Sequence, residues 1–341
     1  MRYLLFFVFC ICYQLLQAQI KPDFFPEDVS KESVEIRCFC KPGVRNKSRS
    51  KGLEIAYDFI GKGAFQPEDG QISPPLSTYS NWQRWEFDLK VPVLNKENFN
   101  LLLGYQYTPE YFTFKRFGND FTETFRQLDK ATLKSSSWSA IISKPLNETR
   151  YLAIRLRYSA NGDYNGIVNF QKDNAIYKGL ALYGIKPHDD FEWGIGLNVS
   201  KSFRQWSVLP FFVYNRTYEN GWGIEAAFPG YVFGRKNLNT KSIFLFGYEY
   251  NSNSYRVNVP IPNADELRYA INHSEIILLA RLERELTPWV WANLRLGYQL
   301  NFSTNFEAKS PNTTYFEAEP NDAPFIEIGI FLSPPDGFLD N

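Results

Sequence analysis

The 341-residue sequence is poor in cysteine, histidine and methionine, with four, two and one of each, and its 37 basic residues balance its 37 acidic ones. Balanced charge gives no general attraction to nucleic acid. Beyond the N-terminus, no apolar run approaches the ~20 residues that a membrane-spanning helix needs. A glycine-rich phosphate loop, a nucleophile elbow and zinc-ligand spacing are also absent. The sequence therefore predicts no cofactor, no metal and no nucleic-acid partner.

The N-terminus has the layout of an export signal. Arg2 precedes an apolar core over residues 4–12, and Ala18 supplies a small residue just before the expected cleavage point. We predict that residues 1–18 form a signal peptide that is removed on export. Residues 19–50 would then form an N-terminal segment, with at most one short strand near residues 33–40.

Export would remove Cys10 and Cys12 and leave Cys38 and Cys40. On a strand, two residues in this spacing face the same side, with their Cα atoms near or beyond the usual ~6.8 Å limit for a disulfide. Two thiols also make an incomplete metal site. The spacing favours a structural or incidental pair over a redox pair, and leaves open whether the two are bridged.

Aromatic residues are abundant, at 17% of the chain, and they suit β-strands. Between residues 82 and 93, apolar and charged side chains alternate, with Trp85, Phe87, Leu89 and Val91 on one face and Arg84, Glu86, Asp88 and Lys90 on the other. This period of two predicts a strand. A soluble sheet would turn the apolar face inward, whereas a membrane barrel would turn it to lipid and the charged face to its lumen.

The same alternation recurs along the chain and predicts thirteen strands, or fourteen with residues 33–40. The thirteen cover residues 53–59, 82–93, 99–107, 133–143, 151–158, 177–185, 193–199, 206–214, 222–228, 243–250, 268–285, 289–302 and 325–332. Up to Ser202 their connections alternate between long and short, as in a barrel with outer loops and inner turns. The alternation of long and short connections then fails, so the predicted number of strands between Phe203 and Tyr250 is one too high or one too low.

These patterns predict an all-β protein, an antiparallel transmembrane β-barrel of 12 to 14 strands over residues 51–333, with a short tail at 334–341. Loops 61–81, 108–131 and 161–174 would lie on the outside. The alternative is an aromatic-rich soluble sandwich, which could also expose the charged faces. Export without a membrane helix, and Trp82, Trp85, Trp193, Trp206, Trp222, Trp289 and Tyr250 near strand ends, favour the barrel.

Three segments carry a family resemblance: residues 221–225 running into 228–230, residues 246–250, and residues 291–298, which end in Leu296-Gly297-Tyr298. With the signal peptide, they resemble an uncharacterised family of Gram-negative outer-membrane β-barrel proteins. The resemblance implies a barrel fold, a place in the outer membrane, contact with its lipid, and insertion by the barrel assembly machinery. It implies no activity and names no protein partner.

The two histidines offer the only candidates for catalysis. His188 precedes two aspartates, and His273 precedes Ser274 and Glu275, so a membrane hydrolase is a remote alternative. Neither histidine has an orienting partner that the sequence identifies, and three consecutive residues cannot all face one metal ion on a strand. We expect structural roles for both and no enzymatic activity.

The charged faces support a functional hypothesis. If they line a lumen, the candidate residues are Glu54, Asp58, Arg84, Glu86, Asp88, Lys90, Arg155, Arg157, Arg281, Glu283 and Arg295. Such charges would either form a closed ion-paired interior or border a water path. The sequence favours passage or binding of small solutes; the alternative is a non-conducting barrel that serves as a structural component, an adhesin or an assembly partner.

Overall fold

A computed structural model describes residues 42–67, 75–118, 121–203, 205–259, 267–308 and 314–334. The predicted signal peptide, the cysteine pair and its short strand, and residues 335–341 of the tail lie outside these ranges. No helix within them is long and apolar enough to cross a membrane.

Within the described ranges the chain forms sixteen strand segments, one α-helix and a 3-10 turn at Lys172–Asn174. The helix is α1 (Thr122–Lys130). The strands are β1 (Leu53–Ile60), β2 (Gly63–Pro67), β3 (Ser77–Lys96), β4 (Phe99–Phe117), β5 (Leu133–Pro145), β6 (Arg150–Gly162), β7 (Ala175–His188), β8 (Phe191–Ser202), β9 (Gln205–Thr217), β10 (Trp222–Phe228), β11 (Tyr231–Asn239), β12 (Ser242–Val259), β13 (Leu267–Thr287), β14 (Val290–Ala308), β15 (Thr314–Pro320) and β16 (Ala323–Leu332).

The strands close into a barrel. β1 pairs with β16 on one side and with β3 on the other, and each wall strand runs antiparallel to its neighbours. β2 keeps the register of β1 against β3, and β15 keeps that of β16 against β14, so each pair is one interrupted strand. The described residues thus contain fourteen wall strands, within the predicted range. Closure leaves no unpaired edge to face lipid.

The break in the predicted alternation of connections comes from β11, which the sequence pattern missed. Gly234, Asn237 and Asn239 indicated a turn there, but Phe233 and Arg235 face inward and pair in register with β10. Polar residues of a strand that lines a lumen are of the same types as turn residues, so the sequence alone does not distinguish the two. With β11 in place, the connections between described strands at one end, called the turn end, are all two to four residues long.

At the opposite, loop end, the barrel narrows to a second closed ring. β12 continues past the end of β11 and meets β6, where Arg256 pairs in parallel with Gly162. Asp163 reinforces the junction, because its carboxylate accepts hydrogen bonds from the backbone N–H (2.9 Å) and side-chain amide (2.8 Å) of Asn258. In the described chain, β2 to β6 and β12 to β15 form this narrow ring, while β7 to β11 end below it.

An aromatic core and helix α1 fill the narrow ring. Glu123 in the first turn and Lys130 in the last match the helix dipole, and Phe125 and Leu128 form the apolar stripe. Phe125 is fully buried, with ring centroids 5.3 Å from Phe65 and 6.3 Å from Phe306. The ring is therefore packed like the interior of a soluble domain.

Two predicted loops contain regular structure in their described residues. Residues 108–131 contain the end of β4 and helix α1, and residues 61–81 contain β2 and the start of β3. Their polar and aromatic composition resembled that of loops, because these parts of the strands lie beyond the apolar band that faces lipid. There, backbone pairing with neighbouring strands keeps the chain extended without an apolar outer face.

The outer wall is apolar. On β3, the outward side chains are about 40% exposed, whereas those of Arg84 and Asp88 on the inner face are 12% and 14% exposed. The outward set is Trp85, Phe87, Leu89 and Val91. Trp82 corrects one expectation: it was predicted at the membrane interface, but it is 2% exposed and donates to Glu110 inside the barrel.

Candidate functional site

The lumen has two unlike halves, of which the first is packed with ion pairs. Arg84 on β3 contacts Asp58 on β1, with Nε 2.7 Å from Oδ2, and lies 3.8 Å from Glu275 on β13. Arg295 on β14 contacts Glu327, with Nη1 2.6 Å from Oε2, and also contacts Glu249. These pairs join strands that are not neighbours in sequence.

The other predicted charges of this half lie toward the turn end. Glu54 accepts hydrogen bonds from Lys51 at 2.5 Å and from Asn293 at 3.0 Å. Arg281 and Glu283, two residues apart on β13, approach to 3.5 Å, and the Glu283 side chain is 1% exposed. Burial of these charges is compensated by partners, which a low-dielectric interior requires.

A basic segment that precedes β1, residues 42–52, lies across the turn end of the lumen, from β8 of the second half to β13 of the packed half; we call it the strap. Its basic residues occur at every second position: Arg45, Lys47, Arg49 and Lys51. The backbone N–H groups of Gly43, Ser48 and Arg49 donate to carboxylates on β8, β10 and β13, at 2.9, 2.7 and 3.4 Å. The strap therefore crosses from β8 to β1 over acidic side chains.

Further contacts anchor the strap. The Ser48 hydroxyl donates to Glu225 at 2.6 Å, and Arg235 of β11 contacts both Glu225, at 3.3 Å, and the backbone carbonyl of Asn46. Burial disfavours the charge of Lys47, but attraction from Tyr231, Glu225 and Glu192 outweighs this, so the pKa of Lys47 is raised. Lys47 thus stays charged at neutral pH.

The second half of the lumen is open. In the central part of the lumen, inward side chains of β4 to β8 such as Gln106, Arg157 and Asn198 remain partly exposed, whereas those of β10 to β14 are mostly buried. Its wall carries the hydroxyl and amide groups of Gln106, Ser139, Asn198, Ser200 and Ser202, and toward the turn end the apolar side chains of Leu102, Ile141, Leu180 and Leu182 share the same face. Two of its strands, β7 and β8, end below the narrow ring, so the lumen beside them is not covered by the aromatic core.

The remaining predicted lumen residues face this open half. Glu86 accepts a hydrogen bond from Gln106 at 2.9 Å, and Lys90 pairs with Asp88 at 2.5 Å. Arg157 donates to Gln106 at 3.3 Å, and Arg155 lies two residues further along the same face. The structure thus divides the eleven predicted residues between a packed wall and an accessible one.

The two histidines lie far apart in the fold. His188 ends β7 at the turn end, beside Asp189, whose backbone carbonyl accepts from Arg45. His273 is inside the narrow ring, where its Nδ1 lies 2.7 Å from the Thr304 hydroxyl and its Nε2 3.0 Å from Glu275. Among described residues, no group of three or more His, Cys, Asp or Glu side chains has a metal-binding arrangement.

Sequence reasoning missed the strap, Arg235 and Glu275, and it did not assign partners to Glu225 and Glu249, which the alternation places on charged strand faces. A signal for the strap existed, since four basic residues alternate just before the first strand and no acidic residue occurs between them. The pairings gave no comparable signal, because they join residues far apart in the chain, as in the Ser48–Glu225 hydrogen bond between residues 177 positions apart.

A closed antiparallel wall that is apolar outside and charged inside defines an outer-membrane β-barrel. The chain belongs to the family described as a domain of unknown function, DUF6268, whose profile matches residues 46–333. No curated protein sequence matches the chain.

The chain is also similar to solved outer-membrane structures at low identity. The COG4313 outer membrane channel from Pseudomonas putida F1 matches at 9% identity and a TM-score of 0.41, over 86% of this chain and 99% of that one. A FadL homologue from Pseudomonas aeruginosa matches at 9% and 0.39, over 82% and 89%. The outer membrane protease OmpT from Escherichia coli matches at 10% and 0.27, over 84% and 99%. Scores this low carry no functional weight.

Proposed function

We propose that this barrel passes small solutes across the outer membrane through the open half of its lumen. The observation that supports the proposal is the asymmetry of the interior. The β10 to β14 wall is buried under ion pairs and the strap, whereas hydroxyl, amide and charged groups on β4 to β8 stay accessible. A polar, hydrated wall lowers the barrier to a polar solute, and its charges set which solutes enter.

Single-channel conductance in planar bilayers tests this proposal. The wild-type barrel should conduct, and Asn198→Trp should lower its conductance at least by about half, because the indole would enter the open half from β8. A wild-type barrel that inserts but does not conduct would contradict solute passage and favour the non-conducting alternative.

The adjacent residue provides a matched control. Leu197 is 51% exposed on the outer wall, so Leu197→Trp adds the same side chain on the lipid side. We expect wild-type conductance from this variant, since a tryptophan suits the outer surface. Equal losses from both variants would show that the effect comes from strand distortion and not from obstruction of a path.

The strap restricts the turn end in this proposal, and its attachment can be tested by charge. Ser48→Asp places a carboxylate against Glu225, whereas Ser50→Asp adds the same charge at an exposed position. A hydrogen bond to a charged group contributes about 1.5–3 kcal/mol, so its loss should weaken the attachment of the strap by at least about tenfold. Because trypsin cleaves the detached strap, cleavage within residues 45–51 should be about tenfold faster in Ser48→Asp. Mass spectrometry of the N-terminal peptides measures the rate.

The Ser50→Asp variant should be cleaved at the wild-type rate and conduct like the wild type. Ser48→Asp should also show a larger conductance, because the detached strap uncovers the turn end. Cleavage that is equally slow in both variants would show that Glu225 does not hold the strap.

We infer that His273 has a structural role and not a catalytic one. Thr304, His273 and Glu275 form a hydroxyl–imidazole–carboxylate chain, but Thr304 is 2% exposed. The adjoining cavity, lined by Trp82 and Tyr255 among others, has a volume of about 30 Å³, which holds a few waters at most. In an assay with ester and peptide substrates, any hydrolysis by the purified barrel should be unchanged by His273→Ala.

A further inference from the structure

Three basic side chains form a cluster on the open wall, and we call Arg155, Arg157 and Lys178 the cation cluster. Arg157 on β6 and Lys178 on β7 are direct register partners. Arg155 shares their face because it lies two positions from Arg157. All three side chains are partly exposed; Arg155 and Arg157 lie in the middle of β6, and Lys178 is the fourth residue of β7.

The cluster lacks the counter-charges that the packed half provides. Arg84, Arg235 and Arg295 each have a carboxylate within 4.0 Å. Among described residues, no carboxylate lies within that distance of the cation cluster. The Nε atom of Arg155 is buried without a hydrogen-bond acceptor.

The acidic groups nearby are already engaged. Asp88 and Glu86 attract Arg157 electrostatically, but Asp88 pairs with Lys90 at 2.5 Å and Glu86 accepts from Gln106. Around the cation cluster, four basic side chains, Arg155, Arg157, Lys178 and Lys90, therefore lie near two acidic ones, Glu86 and Asp88, which is a local excess of positive charge; Glu192, toward the turn end of β8, accepts from the strap instead.

Hydroxyl groups flank Arg157 and Lys178, whereas the register partners of Arg155 are Ile141 and Leu180. Ser139 on β5 is the register partner of Arg157, and Ser200 on β8 is that of Lys178. Ser137 and Ser159, one register pair toward the loop end, are hydrogen-bonded to each other at 2.6 Å. Hydroxyl donors beside guanidinium and ammonium groups form the chemistry that recognises oxyanions.

We infer that the cation cluster is a binding site for small oxyanions, solutes that carry a phosphate or carboxylate group. Three adjacent like charges repel one another, and an anion between them relieves that repulsion. The planar forks of Arg155 and Arg157 match two oxygens of one anion, while Lys178 supplies a point charge. The inference rests on the proposed passage and names its solute class.

Inorganic phosphate is the probe, and isothermal titration calorimetry of the folded barrel in detergent is the measurement. The test variant is Arg155→Gln, Arg157→Gln and Lys178→Gln together. The control removes three exposed basic residues outside the lumen, Lys96→Gln, Lys115→Gln and Lys241→Gln, so both variants change the net charge equally. Heat-modifiable migration on gels establishes that both variants are folded.

Phosphate should bind the wild type and the control with similar affinity and bind the test variant at least tenfold more weakly, which is about 1.4 kcal/mol. Equal weakening in both variants would overturn the inference, because net charge alone would then explain binding. Absence of binding to the wild type would overturn it as well.

Calorimetry does not require conduction, so it separates this inference from the proposed function. A barrel that binds phosphate but does not conduct would retain the site and refute the passage. In a conducting barrel under a KCl gradient, the wild-type reversal potential should indicate preference for chloride, and the test variant should lose that preference while the control keeps it. A reversal potential that is the same in all three proteins would overturn the anion site.

Discussion

Arg295→Met should lower the free energy of unfolding by about 3–5 kcal/mol, because it leaves Glu327 and Glu249 buried without their cation. Arg295 sits at the centre of the packed half, where its guanidinium joins β12, β14 and β16. Methionine roughly preserves the length of the side chain, so lost charge pairing and not a cavity dominates the effect. Urea titration of the barrel refolded in phospholipid vesicles, followed by tryptophan fluorescence, measures the change.

Arg268→Met is the control for this experiment. Arg268 pairs with Asp173 at 3.2 Å, but the two side chains are 41% and 63% exposed, so solvent screens the pair. Exposed pairs of this kind contribute about 0–1 kcal/mol. A loss from Arg295→Met as small as that from Arg268→Met would show that the packed half is not held by its ion pairs.

Leu89→Arg should destabilise the inserted barrel by about 2–4 kcal/mol, the cost of arginine near the midplane of the bilayer. Leu89 is 43% exposed and lies at the centre of the outward series on β3. The same vesicle titration measures the effect, and insertion into vesicles should also be slower.

The same substitution outside the apolar band provides the control. Leu146 is 50% exposed in the connection between β5 and β6 at the turn end, where arginine meets water or lipid headgroups. Leu146→Arg should cost no more than about 1 kcal/mol. Equal costs at the two positions would contradict the placement of Leu89 against lipid.

Much of the wall could be predicted from local patterns. β3 and β13 are identifiable because alternation at a period of two requires only neighbouring residues. The alternation over residues 268–285 predicted one long strand, and the structure has it as β13. The pattern missed β11 because its polar residues Arg235 and Asn237 donate to the backbone carbonyl of Asn46 in the strap, 189 and 191 positions away in sequence.

The arrangement of the lumen, unlike the strands of the wall, could not be predicted from local patterns, because each of its features depends on contacts between segments that are distant in sequence. The sequence placed Arg84, Arg157 and Arg295 in one class of inward charges. The structure gives Arg84 and Arg295 carboxylate partners and leaves Arg157 on an accessible wall. No local pattern distinguishes these residues, since the distinction depends on which strands face one another.

By itself, the sequence determined the strand period, the apolar outer face and the class of an antiparallel membrane barrel, because those properties repeat every second residue and are set locally. The tertiary structure decided the fourteenth strand, the narrow ring closed at Gly162 and Arg256, the strap across the turn end and the division of the lumen into packed and open halves. Those features arise because closure brings together charges and backbone groups that are far apart in the chain. A polar group that becomes buried needs a partner, and one without a partner must remain in contact with water.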